Sequence, residues 1–282
     1  MKVALVQHDV YFEDAAATCE HLGPMVEAAA SEGARLVVLT EMFATGFSMA
    51  PDRVAEEPGP GGGTGWKFLF EMAAGTGAAV CGSLPVRGAG QSRPVNRFVC
   101  AFPDGRSVAY DKIHPFSFAG EDLHYDAGSS LVTFAWEGLS FTPLVCYDLR
   151  FADTFWAAAD RTDSYLVVAN WPAPRRGHFR ALAIARAIEN QAYVLATNRV
   201  GSSGGVEHAG GSIAVGPFGE VLAEAGEGEG TLFAEVTAAR VAEVRSSHQF
   251  LADRREFFVQ ETQEAHEADE AHGAHEAHST GQ

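Results

Sequence analysis

The sequence predicts an α/β fold in which mixed sheets pack face to face between helices. Three observations carry this. The chain opens β-α-β, its middle is a run of hairpins, and it closes on a second βαβ unit with an antiparallel finish. A plain doubly wound sheet would alternate strand and helix throughout. With 282 residues, 46% of them hydrophobic and 20% charged, the chain holds enough apolar material for one large domain or two small ones.

The first strand is read over residues 2–8. A helix follows over 13–31, with Leu22, Met25, Val26 and Ala29 at helical spacing and Gly33 as its stop. Residues 35–39 are nearly all apolar, as expected of a strand covered on both faces. The glycine-rich stretch 58–65 lacks the Lys and Ser/Thr of a phosphate-binding loop and reads as a flexible connection. A helix over 66–74 and a strand over 78–85 come next. Strands over 94–102 and 107–111 form a hairpin around Pro103-Asp104-Gly105. A second hairpin joins 131–136 to 139–146 through Glu137-Gly138. The pattern then predicts a helix (151–159), a strand (164–169), a helix (178–189) and a strand (192–198). Two strands flank Gly216-Pro217-Phe218-Gly219, and 231–236 is the last core strand.

Composition excludes several partners. A net charge of −17 argues against nucleic acid. No apolar run reaches membrane-spanning length, and Met1-Lys2-Val3-Ala4-Leu5-Val6-Gln7 reads as a strand rather than a signal peptide. Cys19, Cys81, Cys100 and Cys146 are scattered with no CxxC pair, which favours reduced thiols in a cytoplasmic setting. One folded domain is expected over 1–258, followed by an acidic, His-rich, disordered tail over 259–282. From Gln260 on there is no large apolar residue and no Lys or Arg, while six acidic residues supply −6 of the net charge. His266, His272, His275 and His278 have no fixed geometry there, so no metal site is expected.

The chemistry is sought at strand ends. The run Phe141-Thr142-Pro143-Leu144-Val145 ends at Cys146 and turns polar at once in Tyr147-Asp148-Leu149-Arg150. Such a cysteine is a candidate nucleophile; a buried core cysteine is the other reading. Glu41 follows the strand over 35–39, where α/β folds place their sites, or is a loop carboxylate. Lys112 follows the strand over 107–111, a position that alone usually means solvent. Thiol, carboxylate and ammonium together suit hydrolysis of a carbon–nitrogen bond. The sulfur attacks a carbonyl carbon, the carboxylate moves the proton to the departing amine, and the ammonium holds the oxyanion. Histidine is not needed.

These segments resemble the nitrilase superfamily of carbon–nitrogen hydrolases, whose Glu-Lys-Cys set runs in this chain order. The matching stretches are Glu41-Met-Phe-Ala-Thr-Gly-Phe-Ser, Tyr-Asp-Lys112-Ile-His, Val-Cys146-Tyr-Asp-Leu-Arg-Phe, Ala169-Asn170-Trp171-Pro172 and Arg186-Ala187-Ile188-Glu189-Asn190-Gln191. Thr40, Pro115 and Ala152 depart from residues common in that family, without removing a reacting atom. The resemblance implies a four-layer αββα sandwich, commonly dimerised, and no metal or organic cofactor. Within the superfamily the chain looks most like the ω-amidase branch, which releases ammonia from short 2-oxo acid amides such as 2-oxoglutaramate and 2-oxosuccinamate. The resemblance further implies that Glu121 orients the lysine and that the backbone N–H of Tyr147 is a second oxyanion donor. Arg150 suits a substrate carboxylate, with a structural salt bridge as the alternative. Phe43, Phe116, Tyr125 and Trp171 are candidates for the pocket wall or, equally, for the core. Two other functions stay open. One is another small-amide hydrolase of the superfamily, such as an N-carbamoyl amino acid amidohydrolase. The other is a binding protein with a dead site.

Overall fold

Side-chain alternation assigns each face of the first strand to a layer. In β1 (Lys2–Gln7), Val3 and Leu5 join the apolar cluster shared by the two sheets, while Ala4 and Val6 join the cluster under the helices. The structure is a computed structural model and describes residues 1–59, 61–88 and 92–255. The domain end expected at 258 and the tail with its four histidines lie outside the described residues. Met1–Leu251 forms one compact unit.

In chain order, β1 is followed by α1 (Ala15–Ser31), β2 (Leu36–Val38), α2 (Pro51–Val54), α3 (Thr64–Thr76) and β3 (Ala79–Val86). Next come the hairpin of β4 (Val95–Ala101) and β5 (Ser107–Asp111), and the short α4 (Glu121–His124). The second half holds β6 (Phe134–Trp136), β7 (Leu139–Val145), α5 (Ala152–Trp156), β8 (Ser164–Ala169), α6 (Arg176–Asn190) and β9 (Tyr193–Asn198). A ribbon of β10 (Val200–Ser203) and β11 (Val206–Ala209) precedes β12 (Ile213–Val215), β13 (Val221–Glu224), β14 (Gly230–Glu235) and α7 (Ala238–Ser247).

Two six-stranded sheets result, in the orders β14-β1-β2-β3-β4-β5 and β13-β12-β9-β8-β7-β6. Each has three parallel strands in its interior, β1-β2-β3 and β7-β8-β9, with antiparallel strands at its flanks. Because β4 is antiparallel to both β3 and β5, β5 runs in the same direction as β2. The chain therefore leaves β2 and β5 at the same edge of their sheet, which brings Glu41 and Lys112 together. Helices α1 and α3 cover one sheet with Leu22, Val26, Ala29, Phe68, Leu69 and Ala73. On the other sheet, α6 packs through Phe179, Ala183 and Ala187.

The local starts and stops follow residue chemistry. Asp14 caps α1 by accepting from the Ala17 N–H, and Gly33 adopts φ 91° just beyond that helix. At the start of α3 the buried Glu56 carboxylate accepts from the Gly65 and Trp66 N–H groups, both at 2.8 Å. A Cβ on Gly63 would lie 2.5 Å from the Glu56 side chain, so the glycines there admit a carboxylate to a helix end. The stretch read as a flexible connection thus carries an anchored cap at its described end.

Two elements escape the hydrophobic pattern. The β10–β11 ribbon turns through Gly204-Gly205 and is largely exposed, so it has no apolar alternation to read. Helix α7 buries only Val241 and Val244, and its start is set by Thr237, whose side chain accepts from the Arg240 N–H.

Candidate active site

Glu41, Lys112 and Glu121 form one buried hydrogen-bonded unit. Lys112 Nζ donates to Glu41 Oε1 at 2.8 Å and to Glu121 Oε2 at 2.7 Å, and all three side chains are about 99% or more buried. Asn96, from β4, spans the two carboxylates. Its Nδ2 donates to Glu41 Oε1 at 2.9 Å and to Glu121 Oε1 at 3.0 Å. Its orientation is fixed from behind, because Ser83 Oγ donates to Asn96 Oδ1 at 2.8 Å and accepts from the Met42 N–H. The remaining Glu41 oxygen, Oε2, accepts from the Asn170 N–H at 2.9 Å, while Asn170 Nδ2 donates to the Glu41 carbonyl at 2.8 Å. Glu121 Oε2 also accepts from the Phe116 N–H at 2.6 Å.

Burial works against the charge on Lys112, but the Glu121 and Glu41 carboxylates outweigh it and hold the ammonium well above the ordinary lysine value. Burial raises Glu121, against the pull of Lys112. Two carboxylates share one ammonium here, and the neighbouring Glu41 adds to the rise at Glu121.

Cys146 stands at the turn after β7 with φ 46°, a left-handed conformation that costs a non-glycine residue energy. Asp148 holds that turn. Its Oδ2 accepts from the Val145 N–H at 2.9 Å and from the Tyr110 hydroxyl at 2.8 Å. Its Oδ1 faces His114, accepting from the backbone N–H at 3.0 Å and meeting Nδ1 at 2.8 Å. Arg186 of α6 grips the same turn through the carbonyls of Leu149 and Arg150. The Cys146 thiol faces the Glu41 carboxylate and the Asn170 N–H. Burial first, then Glu41, pushes the thiol well above its ordinary value, against Lys112. At rest the sulfur therefore carries its proton, and attack requires a base to take it.

A cavity of about 480 Å³ opens over this group. Glu41, Lys112, Cys146, Tyr147, Asn170 and Trp171 line it, with Phe116, Arg150, Arg175 and the β10–β11 ribbon at its sides. Phe116 and Trp171 thus stand where a pocket wall requires them. Phe43 and Tyr125 do not, and this corrects the expectation for both. Phe43 is fully buried against Phe68 of α3 and against Gly82, where a Cβ would approach its ring to 2.8 Å. Tyr125 is 1% exposed, and its hydroxyl donates to the Ser48 carbonyl at 2.7 Å. Arg150 lies over the Trp171 ring at 4.8 Å, its Nη2 approaches His178 Nδ1 at 3.5 Å, and it forms no ion pair with a carboxylate among the described residues.

Sequence reasoning missed Ser83, Asn96 and Asp148 as supporting groups. The available signal was polar residues inside otherwise apolar strands for the first two. For Asp148 it was a carboxylate two positions past the cysteine. Among the described residues no group of three or more His, Cys, Asp or Glu side chains could hold a metal ion.

The family model for carbon–nitrogen hydrolases matches residues 2–246. The chain belongs to that family. This carbon–nitrogen hydrolase is 38% identical over 260 residues to omega-amidase YafV of Escherichia coli (strain K12), covering 91% of this chain and 98% of that protein. It is 36% identical over 230 residues to the 2-oxoglutaramate amidase of Bacillus subtilis (strain 168), covering 80% and 87%. Among solved structures, XC1258 from Xanthomonas campestris is similar with a TM-score of 0.84 and 34% identity, over 92% of this chain and 99% of that one. XC1258 is described as a CN-hydrolase superfamily protein with an arsenic adduct in the active site. Saccharomyces cerevisiae Nit3, of branch 10 of the nitrilase superfamily, matches with a TM-score of 0.84 and 25% identity, over 91% and 97%. The fold is the αββα sandwich of that superfamily.

Proposed function

We propose that this hydrolase is an ω-amidase, releasing ammonia from the ω-amide of a short 2-oxo acid such as 2-oxoglutaramate or 2-oxosuccinamate. One observation carries the reading. Cys146, Glu41 and Lys112 face one cavity, and Lys112 is shared at 2.7–2.8 Å by two buried carboxylates. The likeness to the Escherichia coli and Bacillus subtilis amidases supports the choice of substrate.

The cycle runs on this chain's own residues. Cys146 Sγ attacks the amide carbon while its proton passes to Glu41. The tetrahedral oxyanion forms against Lys112 Nζ and the Tyr147 N–H. Its collapse breaks the carbon–nitrogen bond, Glu41 returns the proton to nitrogen, and ammonia leaves a thioester on Cys146. Water then attacks the thioester carbon, Glu41 takes its proton, and Sγ departs and is reprotonated. Glu121 and Asn96 hold Lys112 and Glu41 at fixed positions throughout. The guanidinium of Arg150 meets the substrate carboxylate.

The family commonly dimerises, and a homodimer is part of the proposal. Ile188, Phe218 and Phe250 are 42–49% exposed, and Ile188 lies against Gly219 next to Phe218, as an apolar contact face would require. Light scattering on the purified chain tests that state. A cytoplasmic setting rests on the four free thiols. Among the described residues no helix is long and apolar enough to cross a membrane.

The deciding experiment compares ammonia release from 2-oxoglutaramate, 2-oxosuccinamate and N-carbamoyl amino acids. Preference for the 2-oxo acid amides is expected. Preference for the carbamoyl compounds would overturn the substrate assignment while keeping the chemistry.

A further inference from the structure

Two arginines line the cavity, and neither forms an ion pair with a carboxylate among the described residues; Arg150 Nη2 meets His178 Nδ1 at 3.5 Å. Most described arginines in this chain meet a carboxylate: Arg176 pairs with Glu227, Arg180 with Glu224, Arg186 with Glu189 and Arg199 with Asp9. Arg150 and Arg175 have no such partner among the described residues. Arg175 is half-buried, and its guanidinium lies beside aromatic rings. Its guanidinium lies 5.4 Å from the Phe116 ring centre and 6.0 Å from that of Phe118.

The backbone that carries Arg175 is rigid. Pro172 and Pro174 precede it, and its carbonyl accepts from the Trp171 Nε1–H at 2.8 Å. The aromatic wall is continuous between the two arginines. Phe116 meets Tyr147 with ring centres 4.9 Å apart, Tyr147 lies under Arg150 at 5.9 Å, and Trp171 lies under Arg150 at 4.8 Å. So two cations are mounted on one aromatic wall of the cavity, and neither is within ion-pair distance of a carboxylate among the described residues, although Glu207 of the ribbon lines the same cavity. A guanidinium stacked on a ring leaves its in-plane N–H groups available, and those are the groups that grip a carboxylate; at Arg150 one of them meets His178 Nδ1 at a long 3.5 Å.

We infer that Arg175 is a second specificity residue, which together with Arg150 holds the far carboxylate of the substrate. The inference rests on the ω-amidase reading and deepens it, since it names the group that selects an anionic amide over a neutral one. Arg175 touches no reacting atom. Its work is done where the substrate is held, so its loss falls on substrates that carry a carboxylate.

The test measures kcat/KM for ammonia release from 2-oxoglutaramate and from valeramide, a neutral amide of similar length, in wild type, Arg175→Ala and Arg175→Lys. The expected result is at least a tenfold fall in the ratio of anionic to neutral kcat/KM for Arg175→Ala, seen chiefly as a raised KM for 2-oxoglutaramate. Tenfold corresponds to about 1.4 kcal/mol. Arg175→Lys should recover part of the ratio, because charge returns without the planar fork. An unchanged ratio, or equal losses on both substrates, would overturn the inference. A second measurement needs no turnover: glutarate should protect Cys146 from iodoacetamide, and Arg175→Ala should require at least tenfold more glutarate. If wild type fails to hydrolyse 2-oxoglutaramate, the functional reading falls and this protection assay still decides on Arg175. Undiminished protection in the variant would refute it there.

Discussion

Lys112 Nζ lies 2.8 Å from Glu41 Oε1, so the carboxylate proposed to move the proton and the ammonium proposed to hold the oxyanion are one hydrogen-bonded unit. A proton taken up by Glu41 weakens its hold on Lys112 at the moment when negative charge develops on the substrate oxygen. The ammonium then has a new anion to meet without moving far. Glu121, at 2.7 Å on its other side, keeps Lys112 in place during that exchange.

Cys146→Ala should abolish ammonia release and leave the fold intact. Cys146 is 9% exposed and lines the cavity, so loss of its thiol should change stability by no more than about 1 kcal/mol. Ammonia assay and circular dichroism on the same preparation check both halves. Turnover at the wild-type rate would mean that another group is the nucleophile.

Asn96→Asp should be more damaging than its size suggests. It replaces the amide that donates to both Glu41 and Glu121 by a third carboxyl group in the same buried space. We expect kcat to fall by about 100-fold or more with a smaller change in KM, since the substrate does not touch residue 96. Steady-state kinetics provide the check, and a kcat within a factor of two of wild type would show that Asn96 is a spectator.

Asp148→Asn should loosen the turn that carries Cys146. The carboxylate accepts from Val145, Tyr110 and His114, and an amide there would turn a donor toward one of these donors. The expected cost is about 2–3 kcal/mol in urea unfolding, against about 1–2 kcal/mol for Tyr110→Phe, which removes the bond to Asp148 and the longer one from the Ile113 N–H. The reverse ranking would mean that Asp148 does not hold the turn.

Stability should fall on mild acidification because two histidines are buried uncharged. Burial lowers His8 from 6.5 to about 4, partly opposed by its bond to the Asp9 carbonyl, and burial lowers His208 to about 4 as well. Between pH 6.5 and 4 the unfolded chain binds these protons and the folded chain does not. Stability present above pH 6.5 is therefore lost as pH falls toward 4, by on the order of 3 kcal/mol per histidine. Urea unfolding at several pH values measures the slope, and His8→Gln should flatten it by about half of the histidine contribution. An unaltered slope in that variant would place the acid sensitivity elsewhere.

The order of elements, the strand ends bearing Glu41, Lys112 and Cys146, and the mixed-sheet sandwich were all legible along the chain. Each rests on local regularities: apolar runs, glycine stops and hairpin turns. What surrounds those residues was not legible, because strand-end position says nothing about which way the chain turns next. Met42, at φ 40°, is followed by a Phe43 that packs on the α3 side of the sheet, so an aromatic two residues from Glu41 belongs to the core. Asn96 and Asp148 come to the site from strands and turns 55 and 107 residues from Glu41, through contacts that only the assembled sheets create. The sequence by itself determined which reactive groups exist and at which sheet edges they emerge. The tertiary structure alone decided which polar groups satisfy them and which cavity arginines lack a carboxylate partner among the described residues, because burial and pairing depend on what the two sheets bring face to face.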